Sequence, residues 1–248
     1  MKHTRIKAVL FALIAIFSCS SCNAVEPDTG KLPQLGNDTT KSGKVELTYM
    51  GQASLCIVTD NGKVIYIDPY SGDDYSKPAD LILVTHEHFD HNAIGKVVNR
   101  SEGCRIIRSR DAIIKSKHQK FILDYVTVEP VQAGFNRMHD PNSCVGYVLT
   151  FCNGKKVYVS GDTSTTDQMR DGTMAEMKID YAFLCTDGVY NMDNDEAARA
   201  AEMIKAVHTI PYHNSTANDG YNFSDKAAEE FAIANKIIVR PGEKIIIE

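Results

Sequence analysis

Thr85-His86-Glu87-His88-Phe89-Asp90-His91 places three histidines and an aspartate within six residues. Imidazole nitrogens bind zinc-like ions at about 2.0–2.1 Å, and a carboxylate is a compatible hard ligand. On a loop leaving a strand, His86 and His88 point to one side, Asp90 and His91 to another. Four such close ligands do not comfortably saturate one tetrahedral ion, so two adjacent metals are the natural reading. The competing reading is a solvated acidic-imidazole loop. The chemistry expected of two ions is hydrolysis, because metal coordination lowers the pKa of water from 15.7 toward ~7. A metal-bound hydroxide then attacks a carbonyl or phosphorus centre, and Asp90 is a candidate to orient it.

The elements that must hold this cluster follow from hydropathy. Asp80–Thr85 is a short apolar run that fits a buried strand ending at the motif. Strands are also expected at Val45–Met50, Ser54–Thr59, Lys63–Ile67, Arg105–Ile107, Tyr125–Val128, Val145–Phe151, Lys156–Ser160 and Tyr181–Cys185, then at Ile237–Arg240 and Lys244–Ile247. Helices are expected at Asn92–Arg100, Asp111–Lys117, Thr165–Met177, Asn194–Val207 and Ser224–Ala234. Asn61-Gly62-Lys63-Val64-Ile65-Tyr66-Ile67 is echoed 92 positions later by Asn153-Gly154-Lys155-Lys156-Val157-Tyr158-Val159. Each copy is a hairpin turn plus a strand. A duplicated β-rich half would give two sheets face to face with helices outside.

The 248 residues are 43% hydrophobic and 24% charged, with seven cysteines, a composition of ordinary globular proteins. The cysteines are too sparse for a small disulfide scaffold. Cys56, Cys104, Cys144, Cys152 and Cys185 lack Cys-x-x-Cys spacing and read as buried thiols or one or two disulfides. Net charge −5 argues against nucleic acid as a partner and leaves a small-molecule substrate. Lys2, Arg5 and Lys7 precede ten apolar residues, Ala8–Phe17, and then Ser18, Cys19, Ser20, Ser21 and Cys22. As a helix that run spans about 15 Å, half the hydrocarbon core, so residues 1–22 read as a signal peptide for export. The ending resembles a bacterial lipoprotein signal, with Cys22 (Cys19 the alternative) as the lipid-bearing residue and the periplasm or cell envelope as the destination. Residues 23–44 form a polar tether and 45–248 the folded domain. Losing Lys2, Arg5 and Lys7 with residues 1–21 takes the charge from −5 to −8.

His-x-His-x-Asp-His after a strand resembles the metallo-β-lactamase superfamily. Ser160-Gly161-Asp162-Thr163 and Ile210-Pro211-Tyr212-His213 are similar to its later aspartate and histidine motifs. The resemblance implies an α/β fold, an αββα sandwich of two mixed sheets flanked by helices. It implies two divalent ions, foremost zinc, with manganese or iron compatible. His86, His88 and a third histidine would hold one; Asp90, His91 and His213 the other; Asp162 would bridge them and share the proton-handling role with Asp90. The third histidine lies between the first motif and Asp162, where only His118 and His139 occur; His139 is the choice. Ala133-Gly134-Phe135-Asn136 stands where relatives carry Ala-x-His, which leaves Asn136 as the other candidate.

The resemblance also implies that Asp68 supports the metal loop and that Asp187–Met192 forms a substrate-side loop, with an ordinary turn as the alternative. Zinc β-lactamases lack an aspartate at the position of Asp162, so the likeness is to phosphodiesterases, lactonases and thioesterases. The bond expected to be cleaved is an ester, lactone or phosphodiester. The alternative is an exported metal- or ligand-binding protein that keeps the fold with little catalysis. His118 and His208 read as surface or structural.

Overall fold

The computed structural model describes residues 43–215 and 220–248. The expected signal, and the tether apart from Gly43 and Lys44, lie outside these residues.

The chain begins with an antiparallel meander, β1 (Val45–Gly51), β2 (Ser54–Val58) and β3 (Val64–Ile67). Two strands then add in parallel, β4 (Ala79–Val84) and β5 (Arg100–Arg108). A short connector follows: α1 (Ser109–Ala112) and a small hairpin of β6 (Ile113–Ile114) with β7 (Lys117–His118). The same order then recurs. After β8 (Phe121–Leu123), the meander β9 (Val126–Gln132), β10 (Val145–Phe151) and β11 (Lys156–Val159) precedes two further parallel strands. Between β11 and the first of them, β12 (Tyr181–Cys185), lie α2 (Asp167–Arg170) and α3 (Thr173–Glu176). Helix α4 (Asn194–Ile204) leads to the second, β13 (His208–Tyr212). After α5 (Asp225–Glu230), β14 (Lys244–Ile247) closes on β1. The sheets are therefore ordered β14-β1-β2-β3-β4-β5 and β8-β9-β10-β11-β12-β13.

The sequence echo thus marks a topological repeat, and its two turns share one geometry. Gly62 and Gly154 have φ of +78° and +82° and donate to the carbonyls of Thr59 and Phe151, whose own N–H groups donate to Lys63 and Lys155. That left-handed turn position is open to glycine without steric penalty.

Alternation with period two decides which sheet faces meet. Leu47, Leu55, Ile57, Ile65, Ile67, Leu81 and Leu83 of the first sheet share one core with Val128, Leu149, Val157 and Phe183 of the second. Tyr147 spans the sandwich and donates to the Val84 carbonyl at 3.0 Å. Behind the second sheet, α4 supplies its buried alanines, Ala197, Ala200 and Ala201. Behind the first, Cys56, Tyr66, Ile82 and Val84 pack under Tyr75 and Val97.

That outer layer departs from expectation, because residues 92–100 contain only a 3-10 turn, Ile94–Lys96, before β5 begins at Arg100. Side-chain bonds hold this segment in its non-helical course. Arg100 donates to Ile94 and Val97, and Lys96 reaches the Tyr70 and Gly72 carbonyls. Other expected helices are shortened for local reasons. Lys115 and Ser116, both at positive φ, turn the chain into the β6–β7 hairpin. Gly172 (φ +89°) separates α2 from α3, and Lys205 (φ +57°) ends α4. The strand expected at Ile237–Arg240 is reduced to an isolated bridge of Lys236 with Thr209 and one bond from Ile237 to the Thr209 carbonyl. The five cysteines of the described residues form no disulfide, in keeping with the buried-thiol alternative at Cys56, Cys144 and Cys185.

Candidate metal centre

In open α/β sheets, side chains that do chemistry gather beyond the carboxyl ends of parallel strands. Here both sheets contribute such ends to one place. His86 follows β4, Asp162 follows β11, and Asp187 and His213 follow β12 and β13. His88, Asp90 and His91 come from the loop after His86, and His139 from the β9–β10 connection. The two sheets are tied there by backbone bonds from Val145 to the Thr85 carbonyl and from His213 to that of Gln52.

All seven side chains expected from the sequence converge. His86 Nε2 and His139 Nε2 lie 3.0 and 3.3 Å from His88 Nδ1, and His139 Nε2 lies 3.3 Å from Asp162 Oδ2. On the other side, Asp162 Oδ1 is 3.1 Å from His91 Nε2 and 3.3 Å from His213 Nε2. Asp90 Oδ2 is 3.6 Å from each of the same two nitrogens. Ligands placed tetrahedrally at ~2.0–2.1 Å from a cation are separated by about 3.3 Å, so both sets have the spacing a cation requires. His86, His88 and His139 form one such group and Asp90, His91 and His213 another, while His86, His91 and Asp162 form a third that joins them. Asp162 Oδ1 and His91 Nε2 are buried without a hydrogen-bond partner, as expected of atoms whose natural partner is an ion. The residues fit a metal.

The far nitrogens of the rings are held by a second layer of groups. Asp68, fully buried at φ +44°, accepts from the Thr85 N–H (2.7 Å), the Thr85 hydroxyl (2.6 Å) and His91 Nδ1 (2.8 Å). Its expected supporting position is the one the structure places it in. Asn136 stands behind His139 instead of replacing it. Its Oδ1 is 2.9 Å from His139 Nδ1 and accepts from the backbone N–H groups of Met138 and His139.

Asp187 Oδ2 lies 3.1 Å from His213 Nδ1, while Oδ1 accepts the N–H groups of Val189, Tyr190 and Asn191. One carboxylate therefore lies against a ring of the cluster and caps the loop beside it. His118 pairs with Ile113 in the β6–β7 hairpin, and the His208 ring packs on Tyr181 4.9 Å away; neither joins the cluster.

Gln52 is the participant that sequence reasoning missed. It sits at φ +49° in the two-residue β1–β2 turn, and its Nε2 donates to Asp90 Oδ2 at 3.0 Å and lies 2.9 Å from His213 Nε2. A polar residue between two apolar strand runs was the only signal, and such turns are commonplace.

The electrostatics of the cluster are those of mostly buried carboxylates and imidazoles. Burial, reinforced by the adjacent His91, holds His86 well below the ordinary imidazole range. Burial also opposes charge on His91, but Asp162 and Asp68 outweigh it and push that group up to about 10. Burial raises Asp162, yet His213 and His91 bring it well below the usual carboxylate range. In the absence of a cation, protons on His91 and His213 therefore balance the ionised carboxylates, and an arriving cation must displace them.

Comparison with known proteins gives a consistent picture. The family model described as the Beta-lactamase superfamily domain matches residues 46–213. A metal-dependent hydrolase of Pyrococcus furiosus is 30% identical over 231 residues, covering 81% of this chain and 99% of that protein. One from Cupriavidus necator is 27% identical, covering 98% and 99%. Among solved structures, the metallo hydrolase Igni18 from Ignicoccus hospitalis superposes with a TM-score of 0.66 at 23% identity, over 83% of this chain and 99% of that one.

Proposed function

Since the chain belongs to the β-lactamase superfamily and is a metal-dependent hydrolase, we propose that His86, His88, Asp90, His91, His139, Asp162 and His213 hold two divalent cations and cleave an ester, lactone or phosphodiester-type bond. The observation that carries this reading is the placement of Asp162 between two ligand sets, Oδ2 toward His139 and Oδ1 toward His91 and His213. The donor set of imidazoles and carboxylates suits zinc first, with manganese and iron compatible. When bound, the cations supply Lewis acidity, lowering the pKa of water and polarising the bond to be cleaved.

The protein's own groups do the rest. Asp162 joins the two sets through one carboxylate, and its burial keeps that charge undiluted by solvent. Asp90 borders the cavity, and the Gln52 amide secures its Oδ2, so that Asp90 orients the attacking water and takes up its proton. His139, turned by Asn136, and His213, backed by Asp187, stay fixed through that transfer.

Chelator treatment of the full chain, followed by reconstitution with zinc, manganese or iron, tests the reading. Hydrolysis of a panel of carboxylic esters, lactones and bis(4-nitrophenyl) phosphate should vanish and return, with two ions per chain by elemental analysis. Turnover that survives complete metal removal would overturn it; one weakly held ion without turnover would favour the binding-protein alternative.

The proposed setting is the periplasm or cell envelope, supported by the basic start, the Ala8–Phe17 run and the small residues before Cys22. With lipid on Cys22, Cys22→Ser should move the protein from the detergent to the aqueous phase in detergent partitioning. A shift caused by Cys19→Ser instead would assign the lipid to Cys19.

A further inference from the structure

Above the cluster lies a cavity of about 420 Å³, a size that suits a small molecule. Its floor is polar, with Asp90, Asp162, His139 and His213. Its mouth is the opposite. Phe89, Met138, Val189, Tyr190 and Tyr221 line it and are 46% to 64% exposed. They make up five of the eleven exposed large apolar side chains among the described residues, so this is a patch and not the ordinary scatter of a soluble surface.

Three rings are braced against one another. Phe89 and Tyr221 meet edge to face at 5.6 Å, and Tyr70 meets them at 5.8 and 5.9 Å. Such mutual edge-to-face contacts hold an apolar wall in position before any ligand arrives. Tyr190 and Val189 are set from the other side by Asp187, which caps their loop.

Charge points the same way. The described residues lining the cavity include no lysine or arginine but three carboxylates, those of Asp90, Asp162 and Asp187. Recognition of phosphate ordinarily uses arginine or lysine donors, alone or beside metal ions. Among the described lining residues a phosphodiester would find no side-chain cation beyond the metal centre.

Building on the hydrolase reading above, we propose that the site takes an uncharged carboxylic ester, open or cyclic, whose aromatic or branched apolar group lies against Phe89, Tyr221 and Tyr190. The reaction balances as plain hydrolysis. Water oxygen adds to the carbonyl carbon and the carbon–oxygen bond to the alcohol breaks. One water proton goes to the departing alkoxide and the other leaves the carboxylic acid for solvent.

The test compares methyl 4-phenylbutanoate, methyl acetate, monomethyl succinate and bis(4-nitrophenyl) phosphate on the metal-loaded full chain. The phenyl ester should exceed methyl acetate in kcat/KM by about tenfold or more, the size of effect an apolar pocket gives, and the charged ester should fall below both. Phe89→Ala and Tyr221→Ala should each lower the phenylbutanoate-to-acetate ratio about fivefold, mainly through KM. Ile122→Ala, exposed on β8 and outside the cavity, should leave that ratio unchanged.

A flat ester series, or preference for the phosphodiester, overturns this proposal and leaves a metal-dependent hydrolase of another specificity. Calorimetric binding of 4-phenylbutanamide and acetamide separates the remaining case. If no probe is hydrolysed but the phenyl amide binds about tenfold tighter, and Phe89→Ala abolishes the difference, the apolar site stands and the hydrolytic reading fails. Equal binding of the two amides overturns the apolar site itself.

Discussion

Asp162→Asn should reduce metal-dependent hydrolysis by about 10³–10⁴-fold in kcat/KM. The substitution nearly preserves volume but replaces one of two oxygens that face opposite ligand sets. An amide presents N–H groups on that side, so whichever set it meets, the bridging contact is lost. Asp162 also compensates His91 and His213, whose rings lie 3.1 and 3.3 Å from Oδ1. If two ions are bound as proposed, the metal content should therefore fall to one or none. A melting temperature close to that of the parent protein, measured alongside, separates loss of chemistry from loss of fold. Parental activity with two bound ions in this variant would refute the bridging role.

The second large effect belongs to Asp68, which touches no substrate. Asp68→Ala removes the acceptor for three donors in a fully buried place: the Thr85 N–H, the Thr85 hydroxyl and His91 Nδ1. Each buried donor left without a partner costs ~1–3 kcal/mol, so the loss should be at least ~3 kcal/mol. In a domain of this size that corresponds to about 6–12 °C in melting temperature. His91 would also lose the group that turns its Nε2 toward Asp162, and a supporting contact of this kind is worth about 10–100-fold in metal affinity. Scanning calorimetry and competitive metal titration measure the two effects separately. An unchanged melting temperature would mean that those donors find other partners.

The His86–His91 motif was legible because its candidate ligands are contiguous. A strand end followed by closely spaced imidazoles and a carboxylate leaves few other uses for those side chains. The hairpin echo was legible for a similar reason: turn residues and the period-two strand behind them are local, and both turns adopt the expected form. The lost helices show the limit of local reasoning. Residues 92–100 read as a helix from their surroundings, yet they carry two asparagines, two valines and a glycine, all weak helix formers, and Arg100 and Lys96 spend their side chains on carbonyls of that loop and of the neighbouring Tyr70–Gly72 segment. Helix propensity amounts to tenths of a kcal/mol per residue, which such tertiary bonds and the burial of Val97 outweigh.

By itself the sequence pointed to metal-binding chemistry and to a repeated hairpin-and-strand unit, while the two-sheet framework was what its resemblance to a known family implied. The first two depend on residue type, short spacing and hydrophobic period, all properties of neighbouring positions. Only the tertiary structure decided that His139 enters the cluster while Asn136 braces it, that Gln52 secures Asp90, and that Asp187 ties His213 to the Tyr190 loop. It likewise brought Phe89 and Tyr221, 132 positions apart, into one apolar wall above a polar floor. The physical reason is that strand ends distant along the chain become adjacent only once two sheets have packed, and the burial that packs them is indifferent to which polar side chains meet at the rim.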